Sequence, residues 1–429
     1  MKKKRMKVIG GIGIAILLFC LIGFATWKLG FDPYRETVSY YKTTMDLDTE
    51  LSKEQVTDDL GYLMKQLKKY HPAYLDGSKV LTEAVDLQYK EELSKLKEGC
   101  TVLQLWQATA RIASKFQDGH TNVYVKNDDM NYLAGNKLSL ADMNLISIDG
   151  IAIEDLYDTF CSQFSYELES YAEFQFRRQM VKEDYMRFLN IDTSDGVDIA
   201  YLKGEDEITT HYEFEIEPQK QETETDDSEE FVSYEINQEK KAAIFTLLEC
   251  NYNDAYFNKL KEFFNSVFEN DIKTIIIDLR NNGGGHSGVV NAFMEYLNID
   301  SYKNYSTDVR FGNFLIKGKP NTLENNKKSK TFDGDIYVLT SSRTFSSANM
   351  FGTFLSDNKL ATIVGETSGN MPSSYGDVLS FQLPNSKLCL GMSYKIFHRP
   401  DVTRDKEPLT PDIEVKADKA LDTVLEMLP

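Results

Sequence analysis

A serine at a loop-to-helix junction is the residue best placed to act as a nucleophile. The apolar run Ile336–Leu339 predicts a buried strand, polar residues follow it, and Ser346 comes directly before apolar residues with helical spacing. Free backbone N–H groups and the positive end of a helix dipole meet at such a junction, and both stabilise negative charge. Taken alone, the segment fits an ordinary N-cap serine better than a nucleophile.

A run of three glycines, Gly283–Gly285, follows a second buried strand that ends at Leu279. Such a loop exposes backbone N–H groups and lets a ligand approach closely. It is not a P-loop or a dinucleotide-binding fingerprint, because the residues that complete those motifs are absent. Two interpretations remain, namely an oxyanion hole that stabilises a tetrahedral intermediate and a simple tight turn.

A serine nucleophile needs a general base, and the chain has five histidines. His71 precedes a proline at the end of a predicted helix, and His211 lies in a strand-like segment. His286 adjoins the glycine loop, whereas His120 follows a helix stop at Gly119. Residue types alone do not choose between His120 and His286.

The sequence predicts no metal and no other cofactor. Asp118 and His120 are too few donors for a metal site, and there is no Cys-x-x-Cys pair. Outside the N-terminal segment the cysteines are widely scattered, which is typical of small buried thiols, although a disulfide stays open: Cys100, Cys161, Cys250 and Cys389.

The elements that must position these residues fall into three regions. Capping boxes at Ser52 and Thr101 open two helices, and a strand follows His120, so residues 45–126 predict a helical domain. A hairpin with the turn Asp149-Gly150 predicts a small α+β module over residues 133–217. Residues 218–232 form an acidic linker. Strands and helices alternate over residues 233–429, which predicts an α/β core with a substantially parallel sheet.

The charge of the chain is unevenly distributed. The net charge of -19 argues against a general nucleic-acid binder, yet six lysines and arginines lie within the first 28 residues. Between them, Val8–Trp27 is an uncharged and mostly apolar run that is long enough to span a bilayer. Residues 1–30 therefore predict an uncleaved membrane anchor with the body outside the cytoplasm. A cleaved signal peptide is the alternative.

Four segments resemble, in this order, the peptidase family of the tricorn core protease and the C-terminal processing proteases. The hairpin around Asp149-Gly150 is also similar to the PDZ-like module of that family. The resemblance implies a ClpP/crotonase-like α/β catalytic core with a helical domain and a PDZ-like α+β module. The segments are Phe116–Thr121; Ile277–Gly285; Ser341–Asn349 followed by Gly365-Glu366-Thr367; and Pro411–Val415.

The resemblance also implies roles for individual residues. Ser346 matches the nucleophile, and the N–H groups of Ser347 and of Gly284 or Gly285 match the oxyanion hole. The lysine of the C-terminal processing branch is missing, because Gly369-Asn370-Met371 occupies its place.

Without that lysine, the tricorn-like branch is the better match, and His120 matches its base. Asp405 and Glu407 are the nearest carboxylates to the position that supports the base. Two departures from the family pattern are Asn349, in place of an acidic residue, and Gly119, in place of a serine.

Together these observations predict a membrane-anchored, extracytoplasmic serine endopeptidase, a hydrolase that cleaves peptides or protein tails through an acyl-enzyme at Ser346. The expected partners are a peptide or protein substrate and the membrane, and no nucleic acid. The alternative is a catalytically inactive member of the same fold that binds peptides or other ligands.

Overall fold

The computed structural model describes residues 16–24, 26–28, 30, 32–127, 129–134, 140, 143–216 and 231–429. The predicted anchor begins outside this part of the chain, and most of the predicted acidic linker, residues 218–230, also lies outside it. Within the described ranges, no helix combines the length and the apolar character needed to cross a membrane.

The first region is helical, as its capping boxes predict. The side chains of Ser52 and Thr101 each accept a hydrogen bond from the backbone N–H three residues later. The residue there is a glutamine, and its side-chain oxygen accepts the N–H of the cap residue. The elements are β1 (Glu50–Leu51), α1 (Lys53–Tyr70), α2 (Lys79–Lys95), β2 (Cys100–Thr101), α3 (Val102–Ser114) and β3 (Asn122–Tyr124).

The second region combines a four-stranded antiparallel sheet with helices. The predicted Asp149-Gly150 turn forms with φ of 48° and 74°, as a two-residue hairpin turn requires. The elements are β4 (Asn131–Leu133), β5 (Asn144–Ile148), β6 (Ile151–Ala152), α4 (Ile153–Gln163), α5 (Glu169–Gln179), α6 (Glu183–Phe188), β7 (Val197–Lys203), β8 (Asp206–Tyr212) and β9 (Phe214–Ile216). The sheet order is β6-β5-β7-β8.

The third region is the predicted α/β core. Its elements are β10 (Val232–Asn237), β11 (Ala242–Leu247), α7 (Asp254–Glu269), β12 (Thr274–Asp278), α8 (Gly288–Met294), β13 (Ser301–Asn304), β14 (Ser306–Phe311), β15 (Phe314–Ile316), β16 (Asn321–Glu324), β17 (Asp335–Thr340), α9 (Ser347–Asp357), β18 (Thr362–Gly365), β19 (Ser374–Gln382), β20 (Cys389–His398), β21 (Ile413–Glu414) and α10 (Ala420–Met427). Three short 3-10 helices are Pro72–Tyr74, Val402–Arg404 and Ala417–Lys419.

A six-stranded sheet with the order β10-β11-β12-β17-β18-β21 forms the centre of this region. All neighbours are parallel except β10 and β11, so the predicted α/β class with a substantially parallel sheet is confirmed. Apolar residues of α7, α8 and α9 cover one face, and α10 covers the other.

Strands β19 and β20 are not part of the central sheet and pack against the N-terminal half of the chain. They pair with each other, and β20 also pairs with β14 and β3. Their side chains share one apolar core with α1, α3 and the four-stranded sheet. This shared core brings the segment after α3, which contains His120, to the edge of the α/β region. The five cysteines are unpaired.

Candidate active site

Ser346 lies between β17 and α9, but it is not an ordinary N-cap serine. Its side chain makes no capping hydrogen bond, and its backbone has φ of 52° and ψ of −123°. A non-glycine residue with positive φ is strained, and such strain is concentrated at functional sites. The capping interpretation favoured by this segment alone is therefore wrong, and the structure holds Ser346 in a shape that capping does not require.

Asn370 fixes the backbone at Ser346. The Ser346 N–H donates to Asn370 Oδ1 at 2.7 Å, and Asn349 Nδ2 donates to the Asn370 carbonyl at 2.5 Å. Asn370 occupies the place where the C-terminal processing branch has lysine, and Asn349 is one of the departures from the family pattern. The two asparagines thus form one hydrogen-bonded support under the candidate nucleophile.

The glycine loop packs directly against Ser346, because β12 and β17 are parallel neighbours and their carboxyl ends meet at one sheet edge. Gly284 has φ of 110°, and a Cβ placed on it would lie 2.6 Å from Ser346 Cβ. The Gly284 N–H donates to Asn282 Oδ1 at 2.8 Å. Because that N–H is already engaged inside the loop, the predicted contribution of Gly284 to an oxyanion hole needs correction.

Gly285 and Ser347 offer the N–H groups that Gly284 does not. Cys250 engages the peptide groups on both sides of Gly285, through the Gly284 carbonyl at 2.8 Å and the His286 N–H at 2.7 Å. The N–H and carbonyl of Gly285 therefore face the other side, where Ser347 Oγ donates to the Gly285 carbonyl at 2.7 Å. Among the described residues, neither the Gly285 N–H nor the Ser347 N–H has an acceptor.

His120 is carried to Ser346 by the pairing of β3 with β20. The register sets Asn122 opposite Gly391, and the Ser393 N–H donates to Thr121 Oγ1 at 3.1 Å. The His120 ring then packs on the ring of Phe345 with a centroid distance of 4.7 Å. His120 and Ser346 are thus neighbours of the same aromatic side chain, although more than 200 residues separate them in the sequence.

A pocket of about 230 Å³ joins the candidate residues. Neither ring nitrogen of His120 has a hydrogen-bond partner within the described part of the chain, so the His120–Ser346 hydrogen bond of a catalytic pair is not formed here. Such bonds often tighten only when substrate binds. The lining comprises His120, Gly285, His286, Ser287, Ser346, Ser347, Met350, Asn370, Pro372, Ser374, Gly376, Asp377, Lys395 and Phe397.

His286, the other candidate base, lies at the same pocket but is engaged elsewhere. Its Nδ1 accepts the Gly288 N–H at 3.0 Å, and its ring stacks on Tyr252 with a centroid distance of 4.8 Å. The two histidines therefore differ in their surroundings, and His120 is the one that packs against the residue before Ser346.

Asp118 is the carboxylate beside His120. Its Oδ1 lies 3.6 Å from His120 Nδ1 and accepts the His120 N–H at 3.0 Å. Its Oδ2 accepts from Thr121 Oγ1 at 2.5 Å and faces His71 Nε2 at 3.2 Å. Because His71 Nδ1 already accepts the Ala73 N–H, His71 donates through Nε2.

The pKa values of this cluster are set by burial and by neighbouring charge. Burial opposes the charged form of both groups, but the contacts between Asp118 and His120 outweigh it. The pKa of Asp118 is therefore well below its usual range, and the pKa of His120 is above its usual value. Burial and the charge of Asp118 raise the pKa of a second carboxyl group, Glu167, to about 8.

Asp118, His120 and Glu167 bring donor atoms within 4.8 Å of one another. Each carboxylate oxygen of this cluster already accepts a hydrogen bond; those of Glu167 take the Gly119 N–H at 3.3 Å and the Met371 N–H at 2.7 Å. Hydrogen bonds within the protein thus engage all four carboxylate oxygens of the cluster.

Asp405 and Glu407, the carboxylates matched from the family pattern, have other partners. Asp405 accepts from Ser373 Oγ at 2.6 Å, and Glu407 accepts from Arg404 Nε at 2.8 Å. Neither lines the pocket, so the structure does not bring them to His120. Asp118 takes that place because it lies only two residues before His120 on the same loop.

Sequence reasoning missed Asn370 and Glu167. The missing lysine drew attention to Asn370 but predicted no contact with Ser346. No local pattern marks Glu167, which follows α4 in a segment of ordinary composition. Gly119 was noted as a departure; a Cβ there would lie 2.9 Å from the Phe345 ring, so the packing of Phe345 on His120 excludes a side chain at this position.

A comparison with protein-family models decides the class of this site. Residues 249–415, which contain the glycine loop and Ser346, match peptidase family S41. This stretch of the chain is therefore a peptidase S41 domain. The domain is that of a serine-type peptidase. No curated protein has a significantly similar sequence.

Solved structures of other proteins are similar to this chain over most of its length. Mature CPAF complexed with lactacystin has 13% identity and a TM-score of 0.64, and covers 87% of this chain and 98% of its own. Mature CPAF alone has 12% identity and a TM-score of 0.64, covering 87% and 96%. The photosystem II D1 C-terminal processing protease has 11% identity and a TM-score of 0.48, covering 87% and 97%. At these identities the likeness to CPAF concerns the fold alone.

Proposed function

We propose that the protein is a serine endopeptidase in which Ser346 is the nucleophile and His120 the general base. The observation that carries this assignment is the strained, non-capping Ser346 at the wall of a pocket that it shares with His120. The family match supports the reaction class, and the absence of a lysine beside Gly369 supports a histidine-dependent mechanism.

In this mechanism His120 removes the proton from Ser346 Oγ as the oxygen attacks a peptide carbonyl. Nδ1 of His120 faces Asp118, which leaves Nε2 for the serine. Asp118 orients the ring and stabilises the imidazolium. His120 then gives its proton to the leaving amine, and water hydrolyses the acyl-enzyme on Ser346.

The oxyanion of each tetrahedral intermediate is stabilised by the N–H groups of Gly285 and Ser347. Fixed donors of this kind contribute most when they are already oriented before the reaction. The Ser347 Oγ bond to the Gly285 carbonyl holds the two donors together, which supports this assignment.

The pocket and the N-terminal sequence suggest the setting of the reaction. Met350, Pro372 and Phe397 give the pocket an apolar wall, which fits an apolar substrate side chain. The S41 match is compatible with cleavage of protein tails, the activity named for the D1 processing protease. The basic flank and the apolar run Val8–Trp27 support a membrane anchor that keeps the body outside the cytoplasm.

Hydrolysis of fluorogenic peptides with apolar side chains tests the two central roles. Ser346→Ala and His120→Ala should each lower kcat/KM by several orders of magnitude. His286→Ala is the matched histidine variant. It should keep kcat within about tenfold of the wild type, because only the residue that acts as general base supplies the rate gain of about 10²- to 10⁴-fold from proton transfer. Undiminished hydrolysis by Ser346→Ala contradicts the assignment, and a larger loss in His286→Ala than in His120→Ala moves the base to His286.

A further inference from the structure

We propose that Glu167 is a positioning residue that fixes the loop of His120 relative to the loop that supports Ser346. The proposal rests on the function proposed above for those two residues. Glu167 lies in the connection between α4 and α5, within the second region of the fold, and it belongs to none of the segments that resemble the family.

One carboxyl group joins two loops through hydrogen bonds. Oε1 of Glu167 accepts the Gly119 N–H at 3.3 Å, and Oε2 accepts the Met371 N–H at 2.7 Å. Gly119 directly precedes His120. Met371 directly follows Asn370, whose Oδ1 accepts the Ser346 N–H at 2.7 Å. The Glu167 side chain therefore spans the distance between the backbone of the base and the support of the nucleophile.

Neighbours of Glu167 contact the same two sides of the site. Ser165 Oγ accepts the Asp118 N–H at 2.9 Å, on the side of the base. The Tyr171 ring stacks on Phe345, on the side of the nucleophile, with a centroid distance of 4.3 Å and an interplanar angle of 16°. Ser165 in the connection and Tyr171 in the first turn of α5 thus contact the residues next to His120 and Ser346, and Glu167 lies between the two in sequence.

A role for Glu167 as a simple counter-ion fits the surroundings poorly. Asp118 is close to it, and burial together with that charge raises the pKa of Glu167 to about 8, which disfavours a role based on negative charge alone. Within the described ranges, no lysine or arginine forms an ion pair with Glu167. The hydrogen bonds of Glu167 indicate a different role, because its two oxygen atoms accept backbone N–H groups from different loops.

A positioning role predicts an effect on turnover rather than on substrate binding. Glu167 does not line the pocket, so its replacement should leave the substrate contacts intact. Misplacement of a catalytic group by about 1 Å costs on the order of 10²-fold in rate. Loss of the bridge should therefore lower kcat and the reactivity of Ser346 together, while KM changes little.

The test compares the full-length wild type with Glu167→Gln. Glutamine keeps the shape of the side chain but has one carbonyl oxygen, so it cannot accept both N–H groups. We expect kcat and the rate of fluorophosphonate labelling to fall about 10- to 100-fold, with KM within about twofold. Glu173→Gln is the matched control, because Glu173 lies on α5 and pairs with Arg177 at 3.5 Å, away from the pocket. It should behave as the wild type.

Circular dichroism establishes that each variant is folded. If Glu167→Gln does not fold, Glu167→Asp replaces it under the same criteria, because it keeps the carboxylate and shortens its reach. An unchanged kcat in the folded variant, or a rise in KM alone, overturns the positioning role while the roles of Ser346 and His120 stand. An active Ser346→Ala variant refutes the proposed function instead.

Discussion

Asp118 is the carboxylate that contacts His120 and raises its pKa. It contacts the histidine through the side chain, at 3.6 Å, and through the backbone N–H, at 3.0 Å. His71 and Thr121 donate hydrogen bonds to its other oxygen. A buried carboxylate with this many donors stays ionised, and it is therefore able to orient the ring and stabilise its protonated form.

The pH dependence of kcat/KM follows from the raised pKa of His120. A general base works only when it is neutral, so activity should fall as the pH drops through that pKa, which lies above the usual 6.5. In Asp118→Asn the midpoint should move to lower pH, since the largest contact that raises the pKa is removed. The value of kcat should fall about 10²- to 10⁴-fold.

Asp158→Asn is the control for this change of charge, because Asp158 is exposed on α4. It should leave both the midpoint and kcat as in the wild type. A pH profile of kcat/KM that is the same in Asp118→Asn and the wild type would show that Asp118 does not act on the base.

At this scale the sequence predicted Ser346 and His120 but not their supports. The order of the motifs along the chain pointed to both residues. Asn370 and Glu167 act through contacts with loops far away in sequence, and such contacts leave no local periodicity. Asp405 and Glu407 were matched by position, whereas the structure gives the place beside His120 to Asp118.

The glycine loop is the element that limits the space around Ser346. Gly284 has a φ of 110°, and its Cα faces the Ser346 side chain. Gly284→Ala would introduce a Cβ at 2.6 Å from Ser346 Cβ, and the positive φ adds about 1–2 kcal/mol of strain. We expect a lower melting temperature and a large loss of kcat, measured by thermal unfolding and peptide hydrolysis.

Gly283→Ala is the matched control within the same loop. Nothing lies within 4 Å of a Cβ at Gly283, and its φ is not positive. This variant should keep the stability and kcat of the wild type. Equal effects of the two alanines would mean that the loop as a whole, and not the contact with Ser346, determines activity.

Elements with strong local signals were predicted well. The capping boxes of α1 and α3, the Asp149-Gly150 hairpin and the strands of the central sheet all form near the predicted residues. The pairing of β3 with β20 could not be predicted, because it joins Asn122 to Gly391 and depends on the shared core. That pairing is what brings His120 to the site.

At the scale of the whole molecule, the site is assembled from all three regions. The α/β region supplies Ser346 and the glycine loop, the helical region supplies His120, and the second region supplies Glu167. The predicted domain boundaries lie at residues 126 and 217. One apolar core crosses the first boundary, because it includes residues of the first two regions together with β19 and β20. A change in any one region is therefore able to alter catalysis.

The N-terminal segment leads to a prediction about the intact chain. Side chains in the described part of this segment are apolar and exposed, with Phe19 80% exposed. The full-length protein should sediment with membranes and resist carbonate extraction, because transfer of its apolar run from water into lipid lowers the free energy. A chain that lacks residues 1–30 should be released. Recovery of the full-length protein in the soluble fraction would contradict the anchor.

The central claim is that Ser346 is a nucleophile activated by His120. Its most direct test is the rate of covalent labelling by a fluorophosphonate, followed by intact-protein mass and mapping of the modified residue. The account predicts one label at Ser346 in the wild type, none in Ser346→Ala, and labelling slowed at least about 10²-fold in His120→Ala. Labelling of Ser346→Ala, or labelling of His120→Ala at the rate of the wild type, would contradict it.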